Sequence, residues 1–196
     1  MVYCSPFEAG RRSTIVREFE SRPLRQFWSC WMRIFLDTEF TDENLLHAEL
    51  ISLALVSEDG VNELYLERDP LPGRCSAFVR ANVCPLLDRG SAAAPDGEFT
   101  RRLRAFLRGI PEPLIIADFP GDKFFCEVAL TGFHLPRSAL ADSGPIPAIR
   151  WNIVDDAEFA ARIERWFAMH PTVKRHHALT DARALRDAWM EMHWDG

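Results

Sequence analysis

Met32-Arg33-Ile34-Phe35-Leu36-Asp37-Thr38-Glu39-Phe40 begins as a buried strand and ends in two carboxylates. Ile34, Phe35 and Leu36 form an apolar run too short for a helix of its own. Side chains alternate along a strand, so Asp37 and Glu39 project from the same face. Two carboxylates beside such a run are costly to bury unless something compensates. A divalent cation with oxygen ligands removes both the repulsion and the desolvation problem. Taken singly, the pair is a weak signal and reads more readily as a solvated strand end. Yet no lysine or arginine occurs between Arg33 and Arg68, so neither acid has a local cationic partner.

Downstream the pattern stays regular. Glu49–Ser57 and Val61–Glu67 read as two more strands, with a turn at Asp59-Gly60. Ser76–Asp88 and Asp96–Arg108 read as helices, with Ser76 and Asp96 as candidate N-caps. Leu114–Ala117 is a fourth strand, Gly121–Leu130 a helix, Leu135–Pro147 a proline-rich loop and Arg150–Val154 a fifth strand. Asp156–Met169 and Asp181–Met192 are the last helices. A meander of strands followed by alternating strands and helices predicts an α/β fold with a mixed five-stranded sheet flanked by helices. Sites in such sheets gather at strand ends.

The chain has 196 residues, 47% hydrophobic and 27% charged, which suits one soluble domain. Its formal net charge of −6 argues against coating duplex DNA with lysine. It does not argue against a nuclease, because bound cations turn an acidic site into a phosphate site. Five scattered cysteines without a CxxC predict free thiols and a cytoplasmic location. No apolar run approaches the roughly 18 residues of a membrane span. Residues 1–31 are arginine-rich and aperiodic, and read as an N-terminal extension, with the domain covering 32–196. Met32 as the natural start would account for it.

Two further acidic sites follow. Leu114-Ile115-Ile116-Ala117 runs into Asp118-Phe119-Pro120-Gly121-Asp122, which places Asp122 in the first turn of a helix. Singly, Asp122 reads as a charge favourable to the helix dipole, and Asp118 as a cap or turn residue. His176 and Asp181 stand five residues apart, about 140° around a helix axis, so they cannot share a face of one helix. If both serve one site, His176 lies on the loop before the helix. Otherwise His176 and His177 are solvated loop residues.

As an ordered set, these residues resemble the three motifs of the DEDDh group of 3′→5′ exonucleases in the ribonuclease-H-like superfamily. The motifs are Asp37-Thr38-Glu39, Asp122 within Asp118-Phe119-Pro120-Gly121-Asp122, and His176 with Asp181. The resemblance spans Met32 to Trp189, roughly four-fifths of the chain. It is nearest to the small bacterial and phage 3′→5′ exoribonucleases, which share the aspartate-phenylalanine-proline turn and an ELIS-type second strand, here Glu49-Leu50-Ile51-Ser52. Other members carry histidine or asparagine where this chain has Asp118, which leaves the role of Asp118 open.

The resemblance implies a ribonuclease-H-like sheet, two divalent cations (Mg²⁺ or Mn²⁺), a single-stranded nucleic-acid substrate and a homodimer. It implies that Asp37 serves both ions, that Glu39 and Asp181 hold one, and that Asp122 assists the other directly or through water. His176 is then the general base. RNA is the expected substrate; a DNA exonuclease and a non-catalytic nucleic-acid-binding module are the alternatives. Phe40, Phe119 and Phe124 are candidates for stacking on a base, or for core packing. Arg162, Arg165, Lys174, Arg175, Arg183 and Arg186 form a basic excess that either guides a phosphate backbone, with Arg175 nearest the site, or is a solvated helix face.

Overall fold

The computed structural model describes residues 31–193. The expected extension therefore lies outside the described residues, except for Trp31, whose ring meets the Arg150 guanidinium at 4.0 Å. The sheet has six strands: β1 (Arg33–Phe40), β2 (Leu50–Ser57), β3 (Glu63–Arg68), β4 (Ala93–Ala94), β5 (Leu114–Ala117) and β6 (Arg150–Ile153). Their spatial order is β4-β3-β2-β1-β5-β6. The first three strands are an antiparallel meander, and β5 and β6 add in parallel beside β1. This is the mixed α/β, ribonuclease-H-like arrangement expected, with one more strand than expected. The extra strand, β4, is two alanines paired in parallel with Glu67 and Arg68. A segment that short carries no alternation to detect.

Among the described residues five α-helices flank the sheet: α1 (Ala77–Asn82), α2 (Asp96–Arg108), α3 (Pro120–Thr131), α4 (Ala157–Met169) and α5 (Ala178–His193). Ser76 caps α1, its hydroxyl accepting the Val79 N–H. The helix expected over Ser76–Asp88 ends early, and Cys84–Leu86 continues as a 3-10 turn. Pro85 lacks the N–H that an α-helix needs there. Asp96 is not the N-cap of α2; Pro95 holds that place. The Asp96 carboxylate instead receives the Arg68 guanidinium at 2.8 and 3.0 Å. The proline-rich loop contains a 3-10 segment, Arg137–Ser143.

Alternation along β1 sorts the core into two layers. Ile34 and Leu36 pack with Phe99, Leu103, Phe125 and Cys126 of α2 and α3. Phe35 packs with Phe159, Ile163, Ala184 and Leu185 of α4 and α5. Ala54, Ala178 and Ala182 are fully buried together, and their small side chains bring the start of α5 close against β2. This close approach sets Asp181 beside the end of β1.

Cys75, Cys84 and Cys126 carry free thiols. Among the described residues no helix is long and apolar enough to cross a membrane.

Candidate active site

β1 outruns its parallel neighbour. It pairs with β5 only from Arg33 to Phe35, whereas its pairing with β2 continues to Phe40. The last residues of β1 thus form the floor of a cleft between α3 and α5, with an empty volume of about 690 Å³. Asp37, Glu39, Asp118, Asp122, His176 and Asp181 all line it.

Asp37, Glu39 and Asp181 each offer an oxygen within 4.8 Å of the others. Oδ2 of Asp37 is buried and has no hydrogen-bond partner among the described residues. Burial pushes the Asp37 carboxyl well above its usual range, and the charges of Asp122, Asp181, Glu39 and Asp118 add to the effect. Glu39 is pushed up to about 8, by burial first and then by Asp181 and Asp122. Burial raises Asp181 to about 6, against the opposing pull of the His177 and His176 backbone N–H groups. Withdrawn acids with no cationic side chain between them, and an orphaned oxygen among them, suit a hard divalent cation.

Asp122 stands slightly apart from these three. The end of β1 lacks a β5 partner, and Oδ1 of Asp122 accepts the Thr38 N–H at 3.1 Å instead. The same oxygen accepts the Thr38 hydroxyl at 2.6 Å. Burial pushes Asp122 up to about 8 even though both Thr38 bonds favour its charged form. The sequence offered no signal for Thr38: it alternates to the face opposite Asp37 and Glu39, and its role depends on where β5 stops. Asp118 sits at the exposed rim, its carboxyl also raised by the surrounding walls. It caps no helix, since Phe119 occupies the N-cap position of α3 without a side-chain bond.

The last helix begins at Ala178, three residues earlier than expected. His176 precedes it, in a left-handed conformation with φ of 68°. The two histidines face apart. His176 turns into the cleft, where the Phe78 ring of α1 meets it edge-on at 5.0 Å. Burial and Arg175 lower its pKa. His177 turns away: its ring lies 4.6 Å from Tyr65 and its Nε2 3.7 Å from Asp88. Its backbone N–H donates to Oδ2 of Asp181 at 3.0 Å. One turn of chain thus presents an imidazole to the cleft and holds a carboxylate.

No protein-family model and no curated protein sequence matches this chain.

Phe40 and Phe119 both line the cleft and stack at 6.2 Å. Phe40 also stacks at 5.0 Å on the buried Phe125, so one of its faces is core. Phe124 does not line the cleft; it borders a separate pocket with Arg68, Phe133 and His134. The basic excess is not a free strip. Arg162 pairs with Glu158 and Glu191, Arg165 with Glu191, Arg183 with Glu63, and Arg186 with Asp187. Arg175 lines the cleft while bonding Glu164 at 2.7 and 2.9 Å and lying over the Phe167 ring.

Proposed function

We propose that this chain is a metal-dependent 3′→5′ exoribonuclease acting on single-stranded RNA. What carries the reading is the convergence in one cleft of Asp37, Glu39 and Asp181 within 4.8 Å of one another, with Asp122 and His176 on its walls. The motif order resembles the DEDDh exonucleases, and the sheet order suits that superfamily.

Asp37, Glu39 and Asp181 would hold Mg²⁺ or Mn²⁺, with Asp122 supporting a second ion. Such ions, when bound, activate water and neutralise charge developing on the phosphate and on the departing 3′-oxygen. His176 accepts a proton from the attacking water as the new P–O bond forms and the P–O3′ bond breaks. Burial and Arg175 lower its pKa, which favours the unprotonated form that a general base needs. The departing 3′-oxygen takes its proton from solvent. Phe119, 42% exposed at the cleft, offers a face for the terminal base, and stacking tolerates any sequence. Glu164 holds the Arg175 guanidinium at the cleft, where it can meet a phosphate.

The test is digestion of 5′-labelled RNA and DNA of matched sequence with Mn²⁺ or with EDTA. The expected result is a metal-dependent ladder of shortened RNA products. Immediate release of a labelled mononucleotide would reverse the polarity, and degradation of DNA alone would overturn the RNA preference. Two intact substrates would remove the nuclease reading.

A further inference from the structure

A second groove adjoins the cleft, with an empty volume of about 700 Å³. Asn82, Pro85 and Leu86 form one wall; Lys174, Arg175 and His176 form the other. Arg175 and His176 line both cavities, so the groove lies directly beside the cleft. Phe78 of α1 meets the His176 ring edge-on at 5.0 Å, which brings α1 against the histidine loop.

Charge separates the two spaces. The cleft is lined by five carboxylates and a single guanidinium, that of Arg175. A polyanionic strand bound there needs cations farther along its path. From Arg162 to Arg186, every basic residue except Lys174 has a carboxylate partner. Lys174 has none among the described residues, and it lines the groove. Its Cα is at most about 7 Å from that of His176, two residues on. Its flexible four-carbon stem gives the ammonium group reach along the groove.

We propose that this groove carries the strand on the 5′ side of the scissile bond, and that Lys174 binds one of its phosphates. The inference rests on the nuclease reading above, and its test separates the two. Cleavage of an unphosphorylated dinucleotide, which has only the scissile phosphate, reads the cleft alone. Cleavage of a heptanucleotide reads the cleft and the groove. Lys174→Ala should raise the heptanucleotide KM by at least about threefold, the order expected for one exposed charge contact. It should also flatten the salt dependence of that KM by roughly 0.7 in log–log slope. Lys174→Arg should behave as wild type and Lys174→Glu worse than the alanine variant, while none alters the dinucleotide reaction. An unchanged heptanucleotide KM and salt slope in Lys174→Ala overturns the subsite. So does an equal loss on both substrates, which would place Lys174 in the cleft itself. A wild-type chain that cleaves neither substrate overturns the nuclease reading, and the subsite with it.

Discussion

Oδ1 of Asp122 takes both hydrogen bonds that Thr38 can give it, from the backbone N–H and from the hydroxyl. The pair links α3 to the end of β1 where β5 has already stopped. Thr38→Val keeps the β-branched shape and removes the hydroxyl. Asp122 then loses a bond that favours its charge, so its ionisation moves to higher pH. The expected result is a several-fold rise in the Mn²⁺ concentration for half-maximal activity near pH 7, shrinking toward about pH 9. A titration of activity with Mn²⁺ at the two pH values checks it. An unchanged metal requirement would mean that Asp122 acts independently of Thr38.

Asp37→Asn should abolish turnover without unfolding the chain. The variant removes a carboxylate whose buried oxygen has no partner among the described residues and which four other acids oppose. Metal-free, it should melt at least as high as wild type near pH 8, and Mn²⁺ should no longer raise its melting temperature. Turnover above about one-tenth of wild type would contradict a shared-ligand role, since metal catalysis supplies several kcal/mol.

His176→Ala and His177→Ala should separate activity from stability. Removing a general base costs about 10²–10⁴-fold in turnover, so His176→Ala should be nearly inactive with metal binding little changed. His177→Ala leaves its backbone N–H on Asp181 but empties the slot beside Tyr65. It should lower the melting temperature and reduce turnover far less. Assays and thermal melts of the two variants decide the matter. A reversed pattern would shift the motif register by one residue.

The metal-free chain should lose stability as pH rises. Glu39 and Asp122 sit at about 8 and Asp181 at about 6 when folded. Unfolded carboxyls titrate near about 4. Between these values the folded chain binds more protons, so stability is fully present below about pH 4 and declines as pH climbs through the folded values. Divalent cations compete with those protons, so stabilisation by Mn²⁺ should be larger near pH 8.5 than near about pH 5.5. Melting curves in EDTA and in Mn²⁺ at both pH values test the sign. A metal-free melting temperature that climbs across this range contradicts the assignment.

Gly121→Ala should move the Phe119 ring. A Cβ at residue 121 would run into that ring, which is partly exposed at the cleft and stacked on Phe40, so the ring must shift. The fold should survive, with KM for RNA raised severalfold while the metal requirement stays constant. If Phe119 contributes no stacking, KM will not change.

Much of this site was legible in the sequence because the relevant signals are local. Period-two alternation put Asp37 and Glu39 on one face, and the five-residue spacing to Asp181 required His176 to lie on the preceding loop if both were to serve one site. The strands of β1, β2, β3, β5 and β6 were visible as apolar runs bounded by turns. β4 was not, since two alanines beside Glu67 and Arg68 form a strand only because β3 lies alongside.

The sequence by itself determined which residues could carry the chemistry and which way each one points from its own backbone. Alternation and helical period are properties of neighbouring peptides and need no distant partner. The tertiary structure alone decided which of those residues meet, because ion pairs and shared hydrogen bonds are set by packing across long separations. Arg183 is neutralised by Glu63, 120 residues away, and Asp122 is held by Thr38, 84 residues away. The buried alanines between α5 and β2 fix how near Asp181 comes to Asp37 and Glu39. That closeness exists only once the helix has docked on the sheet and buried those small side chains.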